Sequence, residues 1–154
     1  MSWLVWPLFA LLLLAVAALL VPWQRWKELF VTALIGGFLL TFVLNYMFAI
    51  ELGAWAHRFP SMMVLGVPVW LGITWFAEVL VFMNYLPERG WVQAGYVGLF
   101  ALGTALAASF MHEIAIRPLL RGWGVPATFV LAYMSHYAVI GVDVLARGRH
   151  LARV

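Results

Sequence analysis

Hydrophobic stretches long enough to cross a bilayer recur five times in 154 residues, and this leaves such a chain few ways to fold. Hydrocarbon offers no water to backbone N–H and C=O groups, so an apolar segment of about 20 residues must satisfy them internally, as a helix. Of the residues, 66% are apolar and 10% charged. A globule of this size has too little interior to bury that much apolar surface. The expectation is an all-α, polytopic membrane protein: a bundle of five transmembrane helices forming a single domain over residues 1–154.

The spans are predicted at Trp3–Val21, Leu29–Ile50, Met62–Tyr85, Trp91–Ile116 and Val125–Ala146. Pro22 and the polar run Gln24-Arg25-Trp26-Lys27-Glu28 end the first, and the His57-Arg58-Phe59-Pro60 loop follows the second. Pro87-Glu88-Arg89-Gly90 closes the third, and Arg117-Pro118 stops the fourth. The first segment has no Lys or Arg before it and no small-residue cleavage site after it, so it is read as a retained span rather than a signal peptide. Short connections predict antiparallel neighbours in sequence order. Trp3, Trp6, Trp23, Trp26, Trp55, Trp91 and Trp123 fall near span ends, where an aromatic belt would place them.

The net charge of +3 is not a nucleic-acid signal, because basic residues at helix edges are what set membrane orientation. Placing the first and third loops and the C-terminus inside gathers Arg25, Lys27, Arg89, Arg147, Arg149 and Arg153, against Arg58, Arg117 and Arg121 outside. This predicts a multi-pass protein of the bacterial cytoplasmic membrane with an outside N-terminus and a cytoplasmic C-terminus. The absence of cysteine excludes disulfides, thiolate metal sites, C-x-x-C-H haem attachment and thiol nucleophiles. No cofactor is expected.

In lipid, small residues that permit close backbone approach mark helix contacts. The second span carries Ala33, Gly37, Thr41, Asn45 and Ala49 at i, i+4 spacing. The fourth offers Thr104, Ala108 and His112, the fifth Thr128, Ala132 and His136 with Asp143 a heptad on, and the third Thr74 and Glu78 beside Gly72. These four helices are expected to enclose a polar-lined interior. The first span, with no polar residue inside it, is expected at the periphery.

Ionisable groups inside a bilayer are costly and usually face a cavity or a partner. At about 1.5 Å of rise per residue, Glu51, His112 and Glu113 lie within roughly 6 Å of the outer edge, and Asn45 about 9 Å down. His136 falls near about 16 Å, and Glu78 and Asp143 at about 24–27 Å. These residues (Asn45, Glu51, Glu78, His112, Glu113, His136 and Asp143) are the candidates for a ligand or ion path. Each also has a plain alternative. Glu51 and Glu113 can be helix-end residues reaching water, Glu78 and Asp143 can pair with edge arginines, and His136 can be a neutral, hydrogen-bonded core residue.

Sharper chemistry finds little support. His112-Glu113 starts like H-E-x-x-H, but position 116 is Ile, so the zinc-protease pattern is absent. A metal set of Glu51, His57, His112 and Glu113 lacks fixed spacing within one helix. Haem between His112 and His136 would need two imidazoles at one depth, which differ by about 10 Å. No metal is therefore assigned.

The Trp-Gln-Arg-Trp-Lys-Glu run before the second span, Tyr85-Leu86-Pro87-Glu88-Arg89 after the third and Gly122-Trp123-Gly124 before the fifth resemble a family of small, uncharacterised multi-spanning integral membrane proteins of spore-forming bacteria. The resemblance implies a five-helix membrane fold and carries over no catalytic residue. The leading functional expectation is a non-enzymatic bundle that binds a lipid-like or small hydrophobic ligand, or partners another copy or another membrane protein. The alternatives are a small transporter or channel subunit, with a polar path through spans two to five, and an intramembrane enzyme acting on a lipid or isoprenoid, with His136 or Glu113 as general acid–base.

Overall fold

The structure is a computed structural model and describes residues 4–58, 62–88 and 90–147; Trp3, Ser61, Arg89, Arg149 and Arg153 lie outside them. It is mostly helical. Five helices run in order: α1 (Val5–Leu20), α2 (Trp23–Glu51), α3 (Val69–Asn84), α4 (Gly90–Glu113) and α5 (Val125–Arg147). A two-stranded hairpin, β1 (Met63–Val64) and β2 (Val67–Pro68), precedes α3.

Three helices, α2, α4 and α5, are long and apolar enough to cross a membrane, with mean hydropathies of 2.0, 1.6 and 1.6. Large apolar side chains cover the outside, among them Leu19, Leu99, Met134 and Leu145. A surface this apolar is compatible with a membrane protein and would be an aggregation hazard in water. The helices α1 and α3 have 16 residues each, about 24 Å of helix.

Three boundaries differ from the sequence expectation. The run Met62–Tyr85 does not begin as helix, because Leu65 (φ 52°) and Gly66 (φ 77°) turn the chain back on itself. Left-handed backbone at two successive positions is the geometry of a tight hairpin turn, and it suits glycine. Pro68 then ends the hairpin, extended at φ −63°, ψ 126°, and α3 starts behind it. The polar run after Pro22 is not a loop but the first turns of α2, whose Leu29 and Thr32 are already buried. The fourth helix stops at Glu113, where Ala115 takes a positive φ of 57°.

The expected neighbour order fails at α1. It packs on α3, not on α2, and the two run parallel. Trp6 at the start of α1 joins Leu71 near the start of α3 in one apolar cluster. At their other ends the Tyr85 hydroxyl donates to Leu20 O (2.8 Å). With a two-residue link at Val21-Pro22, α1 is peripheral as expected, and Leu8, Leu12 and Leu19 stay exposed. The remaining helices pack as α2 on α3 and α5, and α4 on α5.

The small-residue face of α2 is buried at every expected position, Ala33, Gly37, Thr41, Asn45 and Ala49. The helix widens to π-helical turns over Ala33–Leu39 and Tyr46–Glu51. Gly37 is where two backbones meet. A Cβ there would lie 2.8 Å from Trp75 O and 2.9 Å from Phe76 Cα. Neither can yield without moving α3. The tryptophan belt is only partly realised: Trp23 and Trp91 are exposed, whereas Trp6 and Trp55 are core residues at 0% and 2% exposure. Their indole N–H groups donate inward, to Arg58 O and Asn45 Oδ1.

Gly37→Leu is expected to cost about 1–3 kcal/mol or more, as overpacking against a fixed backbone does. Ala15→Leu, on the exposed face of α1, is expected to change little. Melting temperatures of the two variants in one detergent test this, and equal losses would show that α2 and α3 do not meet at Gly37.

Candidate functional site

One end of the bundle is built by two loops that pair with each other. Residues 54–58, following α2, run antiparallel to 116–120, following α4. Leu120 N donates to Ala54 O (2.8 Å), Ala56 N to Pro118 O (3.0 Å) and Arg58 N to Ile116 O (2.9 Å). This pairing sets His57 and Arg117 against the top of α2. Phe48, Trp55 and Trp123 stack beneath it, with Trp123 5.3 Å from each of the other two rings.

Asn45 organises the polar groups there. Its Nδ2 donates to Thr41 O (2.9 Å), and its Oδ1 accepts from Trp55 Nε1 (3.1 Å). An indole N–H only donates, which fixes the orientation of the amide. The second group on Oδ1 is His57 Nε2, at 3.1 Å. It must therefore carry the proton, leaving His57 Nδ1 a bare acceptor, buried and without a partner. Burial, and then the nearby Arg117, lower the His57 pKa from 6.5 to about 3. Arg117 lies over the Trp55 ring at 4.1 Å from its centroid, with its Nε shielded and unpartnered. Burial holds its pKa down to about 10, still far above neutrality.

Beneath Arg117 is a small cavity of about 30 Å³, lined by Asn45, Trp55, Thr41, Thr104, Thr128 and Ser135 among others. That volume holds one or two waters or a group of a few atoms. The Thr41, Thr104, Thr128 and Ser135 hydroxyls each donate to a carbonyl of their own helix. Thr128 Oγ1 also accepts from Trp123 Nε1 (2.9 Å) and Thr104 Oγ1 also meets Glu78, so Thr41 and Ser135 are the hydroxyls with lone pairs left to accept.

Behind the cavity wall Glu78, Thr104 and His136 join α3, α4 and α5. Thr104 Oγ1 lies 3.3 Å from Glu78 Oε1, and His136 Nε2 lies 3.4 Å from the same oxygen. His136 Nδ1 is 2.7 Å from Ala132 O. A carbonyl only accepts, so Nδ1 is protonated. One proton then serves the Nε2–Oε1 contact, making either an imidazolium–carboxylate or an imidazole–carboxylic acid pair, neutral as a whole in both forms. Phe82, at 4.8 Å, Trp75 and Phe100 surround the imidazole.

The remaining candidates go elsewhere. Asp143 accepts from Thr32 Oγ1 (2.8 Å) and pairs with Arg147, sharing no partner with Glu78. Val79, Leu80, Val139 and Ile140 form buried apolar core in this part of the bundle. Asp143 and Glu78 are thus not joined by polar contacts among the described residues. His112 is exposed and accepts through Nδ1 from Leu119 N (3.1 Å), bracing the loop. Glu51 and Glu113 are exposed at helix ends. Among the described residues no three His, Asp or Glu side chains converge to hold a metal, and the set Glu51, His57, His112 and Glu113 is not gathered.

Sequence reasoning missed Arg117 as a site residue and passed over Trp55. Arg117 enters the sequence reading only as a span stop and as one of the outside basic residues, and nothing in its local sequence signals that a loop 60 residues earlier will pack against it. Comparison with known proteins finds no match: no protein-family model, curated protein or solved structure is similar to this chain.

The His57 geometry has a pH signature. The unfolded chain takes up this proton near pH 6.5 and the folded chain only near about 3, so acid favours unfolding across that window, whereas above 6.5 both states are neutral. Thermal stability is expected to hold above pH 6.5 and to fall as the pH drops toward 3, less steeply in His57→Gln. The same acid slope in both proteins would show that His57 is not the buried neutral group.

Proposed function

We propose that the protein is a multi-pass protein of the bacterial cytoplasmic membrane that binds a small ligand, without catalysis, in the polar interior beneath its paired outer loops. All five helices cross in this reading, the 16-residue α1 and α3 through locally thinned bilayer. The N-terminus is outside, and membership of the spore-former family belongs to the same proposal. The observation that carries it is the cavity of about 30 Å³ bordered by Arg117, Asn45 and the α5 hydroxyls. A polar cavity bordered by a charged group is an expensive thing to maintain inside a membrane protein unless something occupies it. Its size and polarity favour the head of a lipid-like molecule over an acyl chain.

The apolar block between His136 and Asp143 weighs against a channel or transporter open at both ends. An intramembrane enzyme gains one point from Glu78 and His136, two titratable groups in contact. Neither lines the cavity, however, which favours binding over acid–base chemistry there.

Native mass spectrometry after mild extraction tests the reading. Wild-type protein is expected to carry a small bound molecule, and Ser135→Leu, which fills the cavity from its α5 wall, to lose it. No bound molecule in the wild type, or equal retention by a folded Ser135→Leu, would contradict it.

A further inference from the structure

The chain's six carboxylates, Glu28, Glu51, Glu78, Glu88, Glu113 and Asp143, all lie among the described residues. Glu28 pairs with Arg25, Glu78 with His136 and Asp143 with Arg147. Glu51, Glu88 and Glu113 are exposed, and none forms an ion pair with Arg117. Arg117 thus has no counter-ion from any acidic side chain of the protein. The face of Trp55, at 4.1 Å, offsets part of the cost of a shielded guanidinium. It does nothing for the N–H edge, where Nε has no acceptor. The side chain as a whole is half-buried, and it is the shielded, unpartnered Nε–H beside the cavity that an anion would complete.

The surroundings say what kind of anion. The guanidinium is a planar fork that matches carboxylate and phosphate oxygens in pairs. The cavity it borders, about 30 Å³, admits a group of a few atoms. Asn45 Nδ2 gives one of its two protons to Thr41 O, and the other remains as a donor on the cavity wall. The Thr128 and Ser135 hydroxyls, which donate only to carbonyls of their own helix, can turn to donate instead.

We propose that Arg117, over Trp55 and beside the Thr128 and Ser135 hydroxyls, binds the oxyanion group, carboxylate or phosphate, of a molecule arriving from the side of the paired loops. The inference rests on the ligand-binding reading and gives it a chemical class. The oxyanion belongs either to a soluble small molecule or to an anionic lipid headgroup, and the head alone enters the cavity.

The test uses the full chain in nanodiscs of neutral phosphatidylcholine, titrated at constant ionic strength with sodium phosphate or sodium acetate in place of chloride. A parallel sample uses nanodiscs containing phosphatidylglycerol. Thermal stability and tryptophan fluorescence are followed. A soluble ligand predicts that phosphate or acetate stabilises the wild type in neutral nanodiscs. A lipid headgroup predicts stabilisation by phosphatidylglycerol with no response to the free anions. In either case Arg117→Gln is expected to weaken the response at least about tenfold, the scale of one charge-assisted hydrogen bond. Arg117→Lys, which keeps the charge and loses the fork, should retain a weaker response and covers the case in which the glutamine variant does not fold. No anion or lipid response in the wild type, or an unchanged response in a folded Arg117 variant, overturns the proposal. A bound molecule that persists by mass spectrometry in Arg117→Gln would overturn the oxyanion and leave the ligand-binding reading standing.

Discussion

A polar group placed inside an apolar shell has to find its partner within the protein, and the interior of this bundle is arranged by that requirement. Apolar contact is non-directional and does not by itself choose which helix faces meet. What specifies their arrangement is where Gly37 lets backbones meet and where polar side chains find each other. Glu78, Thr104 and His136 tie α3, α4 and α5 at one level, and Thr32 and Asp143 tie α2 to α5 at another. Asn45 fastens the top of α2 to the loop that follows it through Trp55 and His57. Each tie is specific because the alternative is an unsatisfied group in a medium that cannot solvate it.

The paired loops extend the same logic beyond the helices. Three backbone hydrogen bonds join residues 54–58 to 116–120, and this pairing lets His57 remain neutral and Arg117 remain charged side by side. The unpaired Arg117, one bare imidazole nitrogen and one small cavity sit together at this end. Among the described residues, the arginines at the other end, Arg25 and Arg147, are each paired with a carboxylate. The interior is therefore asymmetric, polar beneath the paired loops and closed by aliphatic core further along.

Much of the fold was legible in the residues. Long apolar runs gave the five helices, and i, i+4 spacing gave the buried face of α2 together with Thr128, Ala132, His136 and Asp143 on α5. The hairpin at 63–68 was hidden because an apolar strand and an apolar helix look alike to hydropathy, and only Leu65-Gly66 hinted at the turn. The polar run after Pro22 resembled a loop because its helical face is amphipathic rather than apolar. Depth along a helix separated His136 from Glu78 and grouped Glu78 with Asp143, whereas Glu78 meets His136 and Asp143 has other partners. Which residues pair across helices depends on rotation and neighbour choice, and the sequence of one helix does not contain these. Arg117 was illegible for the same reason.

The central claim is that polar pairs across helices specify this assembly, and the contact between Glu78 and His136 is its most direct test. A double-mutant cycle with Glu78→Ala, His136→Ala and the double variant, unfolded in one detergent, measures it. Each single change leaves its partner orphaned, so the double variant should lose less than the two single losses combined, with a coupling of about 1 kcal/mol or more. Additive losses would mean that the two side chains are near each other without holding the helices together, and would contradict the account.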